Sequence, residues 1–405
     1  MKTNAIYAQS GGVTSVINVS ALGVINAWNE LNPNNGTLYA GRNGILGVLN
    51  DDLIDISQIP PHIIKKLRHT PGGSFGSCRY KLKDLKTQRL EYEKLINVFH
   101  KHNIGYFFYN GGNDSADTCL KVSQISQELN YPIKAIHIPK TIDNDLMVTD
   151  NCPGFGSVAK YIATSIMEAG LDLRSMCSTS TKVFILEVMG RNAGWIAASA
   201  ALANTMDNDA PHIILLPECT FDSELFLNRI EEVINNVGHC VVVASEGIKY
   251  SNGKFVSESV VVDAFGHAQL GGVANILAQL VSTKLNLKCH FAISDYLQRS
   301  ARHLASSVDV EQAYKVGYYG VKYALEGKNA VMPYIKRISN TPYQWEIDCV
   351  DLTQVANLEK RVPDDFIDKE KMHIRKSCLE YLRPLILGED YPPFIDGLPD
   401  YTLRL

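Results

Sequence analysis

The sequence predicts an α/β protein of two Rossmann-like lobes, each a mainly parallel sheet covered by helices, with a helical extension at the C-terminus. Three observations predict it. Short apolar runs alternate with helix-length amphipathic segments, the runs are nearly continuous in apolar residues as strands covered on both faces require, and they usually end in glycine. At 405 residues the chain also exceeds the length over which one core keeps growing, so two lobes are expected.

In chain order, AIYAQSGG reads as a strand and turn followed by a helix over Thr14 to Glu30, and YFFYNGG followed by Ser115 to Leu129 repeats the unit. Five further runs read as strands: IKAIHIPKT, TKVFILEVMGR, HIILLPE, HCVVVASEG and CHFAISD. Helices at about Phe221 to Asn236, Gly272 to Leu285 and Val310 to Glu326 connect or follow them. The tail after Val362 reads as one charged helical stretch followed by Pro/Gly-rich coil.

Composition excludes several classes. With 45% hydrophobic and 20% charged residues the chain is an ordinary globular one, and a net charge of -4 argues against nucleic acid or an anionic membrane as partner. Nine cysteines lack the paired spacing of zinc or redox sites, which points to a reducing cytoplasm. The start, MKTNAIYAQSGG, lacks the apolar stretch of a signal peptide, and runs such as Val183 to Leu186 are far shorter than the roughly 18 residues of a membrane helix.

In open parallel sheets, ligands sit beyond the carboxyl ends of the strands. Five such ends concentrate glycine and acid: Ser10-Gly11-Gly12, Gly111 to Ser115, Lys140 to Asp145, Met189-Gly190-Arg191 and Ser245-Glu246-Gly247. Glycine there lets backbone N–H groups approach an anion at a helix start, although any one Gly-Gly turn taken alone is more often only a tight turn. No GxxxxGK[ST] occurs, and Gly154 to Ala159 matches GxGxxA without a strand before it, a chance match. The stretch Pro139 to Asp145, PKTIDND, sets two carboxylates about an asparagine at a strand end. One can serve as a base while the other handles a metal, with Lys140 supplying positive charge, the set that phosphoryl transfer to a sugar hydroxyl needs.

Here the sequence resembles the phosphofructokinase family, diphosphate-dependent type, through seven segments in one order from residue 4 to about 330. They are SGG at Ser10 to Gly12, GSCR ending in Arg79, GGNDS at Gly111 to Ser115, PKTIDND, EVMGR at Glu187 to Arg191, SEG around Glu246, and YLQR ending in Arg299. The resemblance implies a donor lobe of residues 1–153, to which about 303–330 return, and a sugar-phosphate lobe of 154–302 with about 331–405. It implies Asp143 as the base on the sugar 1-hydroxyl, with Thr141 and Asp145 beside it; Met189, Gly190, Arg191 and Glu246 on the sugar; Arg79 bracing the phosphoryl group; and Gly11, Gly12, Gly112, Asn113, Asp114 and Lys140 at the donor. The substrates implied are fructose 6-phosphate and diphosphate, with Mg²⁺ held by Asp114 and Asp145.

Members that use ATP carry glycine at the positions of Asp114 and Lys140. A carboxylate at Asp114 fills the space of a nucleotide's inner phosphate and repels it. Lys140 attracts a small polyphosphate, by on the order of 4 kcal/mol for contact at a surface-like dielectric before desolvation. Many relatives have aspartate at Asn113 and arginine at Lys182, and no later arginine near Val308 completes a 6-phosphate pocket. Tyr381 and Arg383 are candidates to fold over that pocket, and a solvated helix face with one buried tyrosine explains them as well. The resemblance further implies that Lys182 and Arg299 reach a neighbouring subunit's site in a homodimer or homotetramer. Glu187 is expected in a structural ion pair, and His267 at a helix start outside the site. An ATP-dependent enzyme and a non-catalytic subunit of the same fold remain the other readings.

Overall fold

Eleven strands form the two main sheets: β1 (Asn4–Gln9), β2 (Leu38–Gly41), β3 (Leu53–Asp55), β4 (Ile104–Gly111), β5 (Lys134–Pro139), β6 (Val183–Val188), β7 (Ile213–Leu215), β8 (Cys240–Ser245), β9 (Cys289–Ile293), β10 (Val331–Asn340) and β11 (Tyr343–Asp351); the seven apolar runs are β1 and β4 to β9, and the sequence does not mark β2, β3, β10 or β11. They build a seven-stranded sheet in the order β11-β10-β5-β4-β1-β2-β3 and a four-stranded sheet in the order β7-β8-β6-β9. The computed structural model describes residues 3–32, 36–82, 85–204, 206, 209–257, 272–402 and 405. His267 therefore lies outside the described residues.

The continuous apolar runs, apart from that of the exposed edge strand β9, are explained by cover on both faces. Along β1, Ile6 and Ala8 join one cluster with Phe99, Phe107 and Tyr109, while Ala5 and Tyr7 join another with Trp28, Phe108 and Val316. Along β8 the alternation repeats, Val241 and Val243 facing Trp195 and Ile162, and Val242 and Ala244 facing Phe226 and Leu277. Among the described residues, no helix is long and apolar enough to cross a membrane.

The helix Ser307–Leu325 crosses the helix Ile17–Leu31 through two glycines. A Cβ at Gly317 would sit 2.1 Å from the Ser20 carbonyl, and one at Gly23 would sit 2.2 Å from the Tyr314 carbonyl. The backbones are therefore in contact, and this fixes the returning helix on the first sheet.

Two expectations about the later chain are corrected. Residues 331–351 lie in the first sheet and not the second lobe: Ala330 N–H donates to the Ala135 carbonyl at 2.9 Å, Val331 pairs with Ile136 beside β5, and β11 returns antiparallel on β10. The tail is helical only over Lys376–Leu382. Before it come a 3₁₀ turn (Asp364–Phe366) and a short hairpin of Ile367–Asp368 with His373–Ile374, because Pro363 opens the segment and Met372 adopts a left-handed conformation, both against a continuous helix.

Candidate active site

The carboxyl ends of β1, β4, β5, β6 and β8 open on one cavity of about 1140 Å³ between the two sheets. In the first sheet the crevice falls where β1 lies between β2 and β4, so that chain order runs away on both sides, the place where such sheets bind ligands. From β1 come Gly11 and Gly12, and from the loop near them Arg79. From β4 come Gly112, Asn113 and Asp114, and from β5 Lys140, Thr141, Asp143 and Asp145. The second lobe contributes Met189, Arg191, Glu246 and Arg299.

Positive charge gathers where the glycines leave room. Lys140 is 4% exposed and its ammonium donates to the Gly12 carbonyl at 2.5 Å. A Cβ at Gly11 would lie 3.5 Å from that ammonium; one at Gly12 would lie 2.7 Å from Arg299 Nη1 and 3.7 Å from Arg79 Nη2. Burial, then the charge of Arg299, brings the Lys140 ammonium down to about 8. Arg299 lies over the Tyr296 ring at 3.9 Å and lines its own chain's cavity.

The acids sit just beyond. Asp143 N–H donates to Thr141 Oγ1 at 3.0 Å, which sets the turn. Burial first, then Asp145 and Glu246, push the Asp143 carboxyl well above the usual range, with Lys140 pulling the other way. Burial also raises Asp145, and its Oδ1 is buried without a hydrogen-bond partner. Glu246 Oε1 accepts from Gly190 N–H at 3.3 Å, so Gly190 acts through its backbone while Met189 and Arg191 line the cavity. A half-buried carboxylate beside three cations, facing a polar wall on the other lobe, can take a proton from a hydroxyl while phosphate oxygens rest on the cations.

Other expected residues are engaged by the chain's own groups or lie away from the cavity. Asn113 is spent on the chain's own backbone, its Nδ2 donating to the Leu358 carbonyl and its Oδ1 accepting from Asn357 N–H at 2.6 Å. Asp114 pairs with Lys81 at 2.6 Å. Lys182 stands at the opposite end of β6 from Met189, seven residues or roughly 23 Å away along a strand. Tyr381 is a pillar of the second lobe: its hydroxyl donates to the Asp150 carbonyl at 2.6 Å and accepts from Asn144 Nδ2 at 3.0 Å, and its ring meets Trp195 and Phe366. Arg383 is exposed, and neither residue lines the cavity. Glu187 caps a helix, accepting from Gly272 N–H at 3.1 Å and Ala274 N–H at 2.9 Å, and among the described residues it shows no ion pair.

The GxGxxA stretch opens the 22-residue helix Phe155–Met176, whose start is filled by the Asp309 carboxylate from Gly154 N–H and Ser157 N–H. Lys81 and Glu359, which also reach the site, were not legible in the sequence; Lys81 lies two residues from Arg79, but no pattern marks Glu359.

A family model described as phosphofructokinase matches residues 4–322, the stretch that supplies the glycine turns, the three cations and Asp143. The chain belongs to the phosphofructokinase family. It is 59% identical over 98% of its length to a pyrophosphate--fructose 6-phosphate 1-phosphotransferase of Halomonas elongata, covering 94% of that protein, and 58% identical over 98% to one of Methylococcus capsulatus, covering 95%. Its fold matches a crystal structure of a pyrophosphate-dependent phosphofructokinase from Nitrosospira multiformis with a TM-score of 0.91 at 56% identity, over 99% of this chain and 96% of that one.

Proposed function

We propose that this chain transfers a phosphoryl group from diphosphate to the 1-hydroxyl of fructose 6-phosphate, giving fructose 1,6-bisphosphate and phosphate, and catalyses the reverse reaction. The observation that carries this reading is Asp143 sharing one cavity with Lys140, Arg79 and Arg299. The relatives named for that reaction, at 59% and 58% identity, support the donor and disfavour an ATP-dependent enzyme.

Glu246, Met189 and Arg191 hold the sugar from the second lobe. Asp143 accepts the 1-hydroxyl proton; burial makes its charged form costly and so strengthens it as a base once ionised. Lys140, Arg79 and Arg299 take the oxygens of the phosphoryl group, and the buried ammonium has little water to shed at that step. The reverse reaction returns the proton from Asp143 to the alkoxide.

Among the described residues no group of three or more His, Cys, Asp or Glu could hold a metal ion by itself. Mg²⁺ needs only one or two carboxylates together with substrate phosphates, and the orphaned Asp145 Oδ1 fits it, whereas Asp114 is engaged by Lys81. When bound, Mg²⁺ neutralises charge on the phosphate oxygens.

The active unit in this reading is a dimer in the cytoplasm. Lys182 is too far from its own cavity to touch a sugar phosphate there, and β9 with the following helix exposes Phe291, Ile293, Tyr296 and Leu297 at the edge of the second sheet. All nine cysteines are free thiols, in keeping with a reducing compartment. The test is Asp143→Ser: turnover should fall by roughly 10²–10⁴-fold with fructose 6-phosphate binding kept. Wild-type turnover in that variant would remove Asp143 from the role.

A further inference from the structure

After β11 the chain passes once more over the site on its way to the second lobe. Asn357 and Leu358 are tied to the start of the helix Asn113–Glu128: Asn357 N–H donates to Asn113 Oδ1, Asn113 Nδ2 donates to the Leu358 carbonyl, and Asn357 Nδ2 donates to Asp117 Oδ1 at 3.0 Å. Three residues on, Lys360 N–H donates to the Asp145 carbonyl at 2.7 Å, its buried ammonium donates to the Thr149 and Asp150 carbonyls at 2.9 Å each, and Trp195 Nε1 donates to the Lys360 carbonyl at 3.0 Å. Glu359 stands between these two clamps, lines the cavity, and has Arg361 Nε no nearer than 3.8 Å.

We propose that Glu359, held by this strap, is a donor-specificity residue that with Asp114 closes the donor end of the cavity against any phosphate beyond the second. The proposal rests on the diphosphate reading above. The helix that begins at Asn113 follows the Gly111-Gly112 turn, where a phosphate chain would lie. A nucleotide has to run past that end with at least one more phosphate than diphosphate carries. Here the first side chain of the helix is bonded to the strap at Leu358, the second is paired with Lys81, and Glu359, the next residue of the strap, adds a second carboxylate to the cavity. Glu359 is close enough to Asp145 to be the leading charge acting on it. The three cations around Gly12 suit a short anion, and the two rim carboxylates reject a longer one.

Exchanging Asp114 and Lys140 for glycine therefore removes only part of the exclusion. The experiment compares kcat/KM for diphosphate and for ATP, with fructose 6-phosphate and Mg²⁺, in wild type, in Asp114→Gly/Lys140→Gly, and in the same double variant carrying Glu359→Ala. The triple variant should raise the ATP-to-diphosphate ratio by about 10-fold over the double variant. A ratio within about twofold of the double variant's would overturn the proposal. Should the triple variant fail to fold, Glu359→Gln in the wild-type background is read by calorimetric binding of inorganic tripolyphosphate. The affinity for tripolyphosphate relative to diphosphate should rise about 10-fold, and an unchanged ratio overturns the proposal equally. Wild-type protein that does not turn over fructose 6-phosphate with diphosphate would instead sink the functional reading beneath it.

Discussion

Two glycines and a lysine set the chemistry at the scale of single residues. Gly12 has no side chain because the space is taken by Arg299 Nη1, and Lys140 is held by the Gly12 carbonyl itself. Gly12→Ala should therefore displace the guanidinium, which is flexible and can move, without unfolding the chain. Its kcat/KM should fall by up to about 100-fold, the cost of roughly 1 Å of misplacement, with an unchanged melting temperature. Full activity in that variant would show that Arg299 does not need its position. These residues were legible because glycine and acid at a strand end have few other uses in combination. Glu359 and Lys81 were not, since each reaches the site by a path that only the folded topology draws, and Tyr381 was left open because an aromatic-basic pair serves a core as readily as a pocket.

At the scale of elements, β5 carries its chemistry on a buried polar anchor. His137 is fully buried, and its Nε2 donates to the Gly111 carbonyl at 2.9 Å, tying β5 to the turn that ends β4. Burial brings its pKa down to about 4 from the ordinary 6.5. Between those values the unfolded chain binds a proton that the folded chain does not, so stability falls as pH drops from about 6.5 toward 4. The loss between pH 7 and pH 5 should be about 2 kcal/mol by denaturant unfolding, and His137→Gln should flatten it. An equal slope in the variant would assign the pH dependence to other groups. The helix crossing is the second element-scale test. Gly317→Ala puts a Cβ against the Ser20 carbonyl, a backbone atom that cannot swing aside, and should destabilise the chain by about 1–3 kcal/mol. β1 and β4 to β8 were readable because burial on both faces leaves unbroken apolar runs, whereas β2 and β3 are too short to show a pattern and β10 and β11 are partly exposed. The tail was not, because a hairpin of two-residue strands has too few residues to show a period.

For the whole molecule, the seven-stranded and four-stranded sheets face one cavity, and Lys182 is turned away from it at the far end of β6. If a second copy supplies Lys182, then Lys182→Ala and Asp143→Ser proteins, each impaired alone, should restore activity when refolded together. Random pairing leaves one intact site in half of the dimers, roughly a quarter of wild-type turnover. No recovery on mixing would confine each site to one chain. The most direct measurement of the whole account is steady-state turnover of fructose 6-phosphate by the purified wild-type chain with Mg²⁺ and either diphosphate or ATP. Turnover with diphosphate and little or none with ATP is the expected result; turnover with ATP at least as fast as with diphosphate would contradict it.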